Sequence, residues 1–457
     1  MTYVPPFPPR PARAAPPLAL LREARRNLLA IWPNSSFESE LINYRLFRRQ
    51  IVIVNSPETV REAFIDQAAA VERKSPQQRR ALEPLLGDGL FVSDGATWRE
   101  RRRVIAPLTH VSRLSDLAPG ITAGAAERAA LWGALSPGQE VDVLSEMAEM
   151  TAGIICTTLF GRSLAGASAR AVVTAFTEYQ AAIEQMNMAS LLGLPDFLPR
   201  LHRPRVRRAI ARIHNVLDEL IAAVIRDAGR GEASLISAMA QAKLAGSGVP
   251  MDQAAFRNEA AVLFMAGHET TAAVLAWSWF ILSQDPDSAA RLHAEVDAVL
   301  GGRSASYEDF PRLAFTRAVV EETLRLFPPV PLQARQATSD TRIGGVEVRR
   351  GALVILNAWL LHRHRKLWPD PDVFDPDRFL PGGSGIPSRY AYVPFSIGPR
   401  TCTGAMFGLT EAVLCLATLA ARFRLTLRPG WRVMPVCRLS LRPAGGLPMR
   451  VEPRRAG

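Results

Sequence analysis

Residues 394–404, PFSIGPRTCTG, form the most informative stretch of this 457-residue chain. Gly and Pro punctuate it as a loop, and a strongly apolar run from about Ala405 to Phe423 predicts a buried helix after it. Cys402 therefore stands just ahead of a helix start, where free backbone N–H groups and the positive end of the helix dipole favour a thiolate. Gly398 and Gly404 let the backbone approach something flat and bulky. On these residues alone, Cys402 is an ordinary turn residue, a nucleophile or a metal ligand. A Cys–His pair stays open, although no His lies near it in sequence.

The next most informative segment runs from Asp252, an N-cap residue type, to Gln284. It holds no proline and ends at Asp285-Pro286, a stop signal. At ~1.5 Å per residue this is about 48 Å of helix. Ala260–Leu282 is apolar enough to suggest a membrane span, but His268, Glu269, Thr270 and Thr271 sit at its midpoint, where charge is costly in lipid. A central core helix is the better reading, and its polar midpoint needs a purpose. Val206, Ile210, Ile213, Leu217, Leu220, Ile221 and Val224 mark a further amphipathic helix, approached by six arginines between Arg200 and Arg212 that read as a solvated face. A basic helix is expected over Leu18–Trp32, docked on the core rather than lying on a membrane. Strand signals are fewer: Ile51–Asn55, Thr341–Val348 with a Gly344-Gly345 turn, Ala352–Leu356, and a hairpin around Pro443–Gly446. The fold class is mainly α with a minor β region.

Composition narrows the function classes. With 48% apolar and 21% charged residues, the chain has ample material for a core and is neither disordered nor fibrous. The four cysteines show no close pairing, which disfavours a disulfide framework or Cys-rich zinc site and fits a reducing, cytoplasmic compartment. The formal charge of +12 comes from arginine, since Lys74, Lys243 and Lys366 are the only lysines. It suits a GC-rich genome or an acidic partner. With 7% aromatics and no zinc-finger or helix-turn-helix pattern, nucleic acid is not expected. The proline-rich start, residues 1–17, is not a secretory signal, and no transmembrane anchor is expected.

The string FxxGxRxCxG, here Phe395, Gly398, Arg400, Cys402 and Gly404, resembles the haem-binding loop of the cytochrome P450 family at every fixed position. Ala266-Gly267-His268-Glu269-Thr270-Thr271 resembles the family's oxygen-activation stretch. Glu322-Thr323-Leu324-Arg325 matches its ExxR. Pro376-Asp377-Arg378-Phe379 matches its PERF-type motif with Asp for Glu, and Trp98 with Arg102 matches a haem-contacting helix. The order and spacing are the family's. His364 and Arg365 depart from it, standing where an acid and a proline are usual after the first His-Arg. A metal site from His362 and His364 would lack a third ligand nearby.

The resemblance implies a P450 fold and one haem domain over 1–457. The residues after Cys402 are too few for a fused reductase, and no G-x-G-x-x-G motif stands elsewhere. It implies haem b with Cys402 as axial thiolate, favouring O–O cleavage. Trp98, Arg102, Arg335 and Arg400 would hold the propionates, as suits bidentate guanidinium, with Phe395, Gly398, Gly404 and Ala266 around the macrocycle. Glu322, Arg325 and Arg378 would form a buried supporting network. Thr270 and Glu269 would deliver protons, Ala266 and Gly267 would leave room for dioxygen, and Thr271 would bond back within its helix. Phe91, Leu263, Val330 and Leu439 would line a pocket for a hydrophobic small molecule. The expected activity is insertion of one oxygen atom of O2, with two electrons from a separate, acidic ferredoxin or flavodoxin docking near Arg99, Arg101 and Arg103, by a monomer. A peroxide-using enzyme and a non-catalytic haem sensor or carrier stay open as alternatives.

Overall fold

The computed structural model describes residues 2–161, 173–179, 204–226, 235–241, 251–437 and 439–454. Its axis is the helix Gln253–Gln284, hereafter the central helix, which is continuous through its polar midpoint. Asp252 caps it, its carboxylate accepting the Ala255 N–H at 2.7 Å, and it stops at Asp285 as the sequence predicts. Around it pack Val143–Phe160, Ala314–Leu326 and Ala405–Ala420, the last being the helix that follows Cys402. Val143–Phe160 and the central helix are each long and apolar enough to cross a membrane. Here they pack along one another, and most of their residues are buried.

The polar midpoint divides its residues between neighbours. His268 is buried, with Nδ1 against the Phe264 carbonyl at 2.9 Å and its ring edge-on to Phe176. Its own carbonyl accepts the Thr151 hydroxyl at 2.7 Å. Helical spacing turns Ala266, Glu269 and Thr270 to a different face.

The largest sheet has five strands in the spatial order Leu41–Leu46, Arg49–Val54, Leu353–Asn357, Leu332–Gln336 and Arg73–Lys74. The pairing of Arg49–Val54 with Leu353–Asn357 is parallel and the others are antiparallel. A second sheet aligns Gln139–Asp142, Pro448–Pro453 and Phe423–Leu427. The sequence signals missed several of these strands because they are short, partly polar edges whose partners lie far away in sequence. Pro443–Gly446 is not a hairpin turn. The paired strands are Pro435–Cys437 and Leu441–Pro443, and the chain then crosses to the second sheet. The segment 206–224 lies within the helix Pro204–Arg226, whereas the arginines at 200 and 203 lie outside the described residues.

The first helix ends at Arg26, well short of Trp32. Asn27 stops it by turning its side chain to the C-terminal hairpin, donating to the Pro435 carbonyl at 2.9 Å and accepting the Cys437 N–H at 3.1 Å. The proline-rich start is docked as well. Arg10 lies between the Phe7 and Phe37 rings, pairs with both oxygens of Asp372, and the Tyr3 carbonyl accepts the Phe374 N–H at 2.9 Å.

Candidate functional site

One cavity of about 460 Å³ gathers nearly every residue the sequence singled out. Cys402, Phe395, Gly404, Trp98, Arg102, Arg335, Arg400, Ala266, Glu269 and Thr270 line it, and so do Phe91, Leu263, Val330 and Leu439. Residues separated by more than 300 positions converge there because the central helix, the Cys402 loop and the five-stranded sheet meet along it.

The Cys402 loop is a tight turn held by its own backbone. The Cys402 N–H donates to the Phe395 carbonyl at 2.9 Å and the Thr401 N–H to the Gly398 carbonyl at 3.0 Å. Gly398 is not among the lining residues. Its φ of +77° and a Cβ position 2.1 Å from the Phe64 carbonyl oxygen show why only glycine fits there. At Gly404, by contrast, a Cβ would meet nothing within 4 Å. Cys402 is exposed and lines the cavity, deep in the protein. Burial pushes its thiol up, while the Gly404 N–H and the Arg102 guanidinium pull it down. A bound metal cation would complete that deprotonation.

The cationic groups are more numerous than the sequence suggested. Lys74, on the edge strand, pairs in register with Arg335, and its ammonium lies 4.2 Å from the Phe91 ring centroid. Burial, then Arg335 and Arg400, hold Lys74 well below the usual lysine range, with Asp94 opposing. Burial and Arg400 pull Arg335 to about 9, again opposed by Asp94, so it remains charged at neutral pH. Arg400 stacks on Trp98 with a 4.5 Å separation and donates to Asp94 at 2.9 Å and to the Ser93 carbonyl at 3.0 Å. Its Nε and Nη1 atoms, and Nη1 of Arg335, are buried without a hydrogen-bond partner. Like charges in direct register are destabilising, so Lys74, Arg335 and Arg400, gathered around Asp94, fit a ligand that carries carboxylates. Haem, a flat dicarboxylate whose iron takes a thiolate, would suit both this cluster and the Cys402 thiol. Lys74 carried no motif. Its only signal was rarity in an arginine-rich chain.

On the central helix it is Thr270, not the expected Thr271, whose hydroxyl bonds back within the helix. Thr270 Oγ1 bonds back to the Ala266 carbonyl at 2.7 Å, whereas Thr271 donates to Glu411 Oε2 at 2.9 Å. Glu411 is fully buried and pushed up to about 8 by burial, with Thr271 opposing. It is the one charged residue type in Ala405–Ala420, a signal that could have revealed it. Glu269 accepts a hydrogen bond from the Ser440 hydroxyl, a partner for which the sequence offered no sign. Gly267 lines the cavity, and its smallness serves helix packing as well. A Cβ there would stand 2.5 Å from Ile155 Cδ1, so its smallness lets two helices approach.

Beneath the Cys402 loop lies a wholly buried network. Arg325 Nε and Nη2 each donate to Glu322 at 2.6 Å, and Nη1 and Nη2 reach the carbonyls of His362 (2.7 Å), Pro371 (2.7 Å) and Val373 (2.9 Å). Arg378 Nε stands 3.5 Å from Glu322, which also accepts the Asp375 N–H at 2.9 Å. His362 links this network to the loop, because Nε2 accepts the Val393 N–H at 2.9 Å and Nδ1 therefore donates to the Arg325 carbonyl at 3.1 Å. His362 and His364 are structural, and no His/Cys/Asp/Glu group able to hold a metal ion occurs among the described residues. Arg101 is also internal, 9% exposed and facing Asp88 and Glu259, which removes it from any docking surface.

The cytochrome P450 family model matches residues 16–445. The chain is 36% identical to cyclooctatin synthase and 33% identical to cyclooctat-9-en-7-ol 5-monooxygenase, both of Streptomyces melanosporofaciens. These alignments cover 91% of this chain and 89% and 88% of those proteins. Pentalenene oxygenase of Streptomyces avermitilis is 27% identical over 97% of each chain. The crystal structure of the cytochrome P450DA heme domain superposes with a TM-score of 0.80 at 25% identity, covering 99% of both chains. Site, fold and relatives agree: the chain belongs to the cytochrome P450 family and is a monooxygenase.

Proposed function

We propose that this enzyme inserts one oxygen atom of O2 into a hydrophobic, terpene-type hydrocarbon or its alcohol, using haem b held by Cys402. The observation carrying this reading is a single apolar cavity shared by the Cys402 thiol, a cluster of part-orphaned cations and the Glu269–Thr270 pair. Trp98, Arg102, Arg335, Arg400 and Lys74 would bind the haem carboxylates. Haem, when bound, supplies dioxygen binding and activation.

The protein's own part is proton handling and exclusion of water. Thr270 donates to the Ala266 carbonyl, which leaves the lone pairs of Oγ1 to accept a proton donor beside the reacting centre. Glu269 accepts from Ser440 at one carboxylate oxygen, and its carboxylate would take up and pass on protons. Phe91, Leu263, Val330 and Leu439 present an apolar wall, which suits a hydrocarbon and keeps bulk water from the chemistry. The names of the relatives support this substrate class.

Electrons would come from a separate ferredoxin or flavodoxin. Arg99 and Arg103 are exposed and border a surface cleft with Trp98, Arg102, Ala106 and Pro107, which suits an acidic donor. A reduction rate that ignores ionic strength would remove the acidic donor. The reading also takes the chain as one haem domain working in the cytoplasm, in keeping with its cysteine usage.

The reduced, carbon monoxide-bound spectrum tests the centre: a red-shifted Soret band is expected, and Cys402→Ser should abolish it. A Soret band at the position given by a neutral ligand would sink the proposal. Turnover with O2 and a surrogate reductase is expected. Turnover with peroxide alone would favour the peroxide-using alternative.

A further inference from the structure

The segment 87–93 joins two parts of the site that the motifs treat separately. It carries Leu90 and Phe91, which line the cavity, and it leads directly into the helix Gly95–Leu108 that bears Trp98 and Arg102. At its start it is seated on the first half of the central helix. The Leu90 N–H donates to both carboxylate oxygens of Glu259, at 2.9 and 3.1 Å. Glu259 is fully buried and faces Arg101 Nε at 3.5 Å, while Arg101 Nη2 donates to Asp88 at 3.2 Å. Asn258 donates to the other oxygen of Asp88 at 2.9 Å.

The backbone confirms how closely the segment sits. A Cβ at Gly87 would lie 2.2 Å from Asn258 Nδ2, and one at Gly89 would lie 2.7 Å from Val262 Cγ2 and 3.1 Å from the Asn258 carbonyl oxygen. At its far end the segment meets the Cys402 loop, where Arg400 takes the Ser93 carbonyl and Asp94. Burial raises Glu259 to about 7, and the Leu90 N–H and Arg101 are the two influences that favour its charged form.

We propose that Glu259 is a positioning residue for the substrate wall: its buried carboxylate seats segment 87–93 on the central helix and so fixes Leu90 and Phe91 at the cavity. The same carboxylate faces Arg101 on the Trp98 helix, so one side chain sets the substrate wall and the cationic cofactor clamp in register. This rests on the reading of the cavity as the haem and substrate site, and the reduced carbon monoxide spectrum, which Glu259 should not alter, tests that reading separately.

The test uses the full haem-loaded chain as wild type, Glu259→Ala and Glu259→Gln. Amide exchange at pH 8 reports seating, and optical titration of the ferric protein with imidazole and with 4-phenylimidazole reports the wall. Glu259→Ala should speed exchange in peptides covering 87–93 at least tenfold while peptides from 270–284 are unchanged. It should weaken 4-phenylimidazole at least fivefold and imidazole less than twofold. Glu259→Gln keeps an acceptor for the Leu90 N–H and should bring exchange to within threefold of wild type. Should Glu259→Ala fail to fold, Gly89→Ala, which crowds the seat with Glu259 intact, should give the same selective loss of 4-phenylimidazole affinity. Wild-type exchange at 87–93, or a rise spread evenly over the chain, overturns the proposal, as does equal weakening of both azoles.

Discussion

Replacing Arg325 by alanine should prevent the protein from holding its cofactor, and the size of the effect follows from the hydrogen bonds. Arg325 is completely buried and makes two bonds to Glu322 and three to main-chain carbonyls. Removing one partner of a buried ion pair costs about 3–5 kcal/mol, because the other charge is left uncompensated. The Asp375 N–H and Arg378 would soften this slightly for Glu322. Each carbonyl stripped of its donor adds about 1–3 kcal/mol. The total exceeds about 5 kcal/mol, a large part of the roughly 5–15 kcal/mol that holds a folded domain. The lost guanidinium also held the His362 carbonyl, and the His362 ring accepts the Val393 N–H, so the damage reaches the Cys402 loop. The assay is haem content per polypeptide, the reduced carbon monoxide spectrum and the urea midpoint. Arg325→Ala should give almost no haem-loaded protein, and Arg325→Lys, with fewer donors, a weakened intermediate. If Arg325→Ala purifies with full haem and loses less than about 1 kcal/mol, buried pairing is not what supports the loop.

Thr270→Ala should keep haem and electron uptake but divert electrons to hydrogen peroxide, read as product per electron with a surrogate reductase. Unchanged coupling would take Thr270 out of proton delivery. Gly398→Ala should cost about 2 kcal/mol or more through its positive φ and the Phe64 carbonyl, whereas Gly404→Ala should leave the unfolding midpoint unchanged. Equal urea midpoints for the two variants would contradict this. Burial, then the Arg325 charge, hold His362 down at about 3, below its ordinary 6.5. The unfolded chain therefore binds this proton more readily below pH 6.5. Stability should fall by about 1.4 kcal/mol per unit from 6.5 toward 3, and His362→Gln should remove one proton's worth of that slope. An identical slope in the variant would show that His362 does not titrate this way.

The parts of the site carried by local strings were legible because each string joins residue type to backbone demand. Cys402 before an apolar helix, Glu322 with Arg325 one turn apart, and the polar midpoint of a proline-free helix are all local facts. The missed parts depend on pairing across long separations. Lys74 gains its meaning from lying in register with Arg335, 261 positions away by number. Ser440 gains its meaning only from the approach of the C-terminal strands to Glu269. The threonines show a finer limit: both have a carbonyl four residues back, and only the packing of Glu411 against Thr271 decides which hydroxyl turns outward. Arg101 and Arg103 are indistinguishable by composition, yet one is enclosed and one faces solvent.

The docked proline-rich start bears on the order in which the chain assembles. Arg10 is synthesised long before its partner, since Asp372 follows 362 positions later, and Tyr3 waits for Phe374. At about 5–20 residues per second of synthesis, the leading segment spends roughly 20–70 seconds without its seat. The carbonyls of Pro371 and Val373 that complete the Arg325 network arrive on the same stretch. Docking of the first residues and closure of the support beneath Cys402 are thus late, nearly simultaneous events, and a nascent chain stalled before residue 370 has neither.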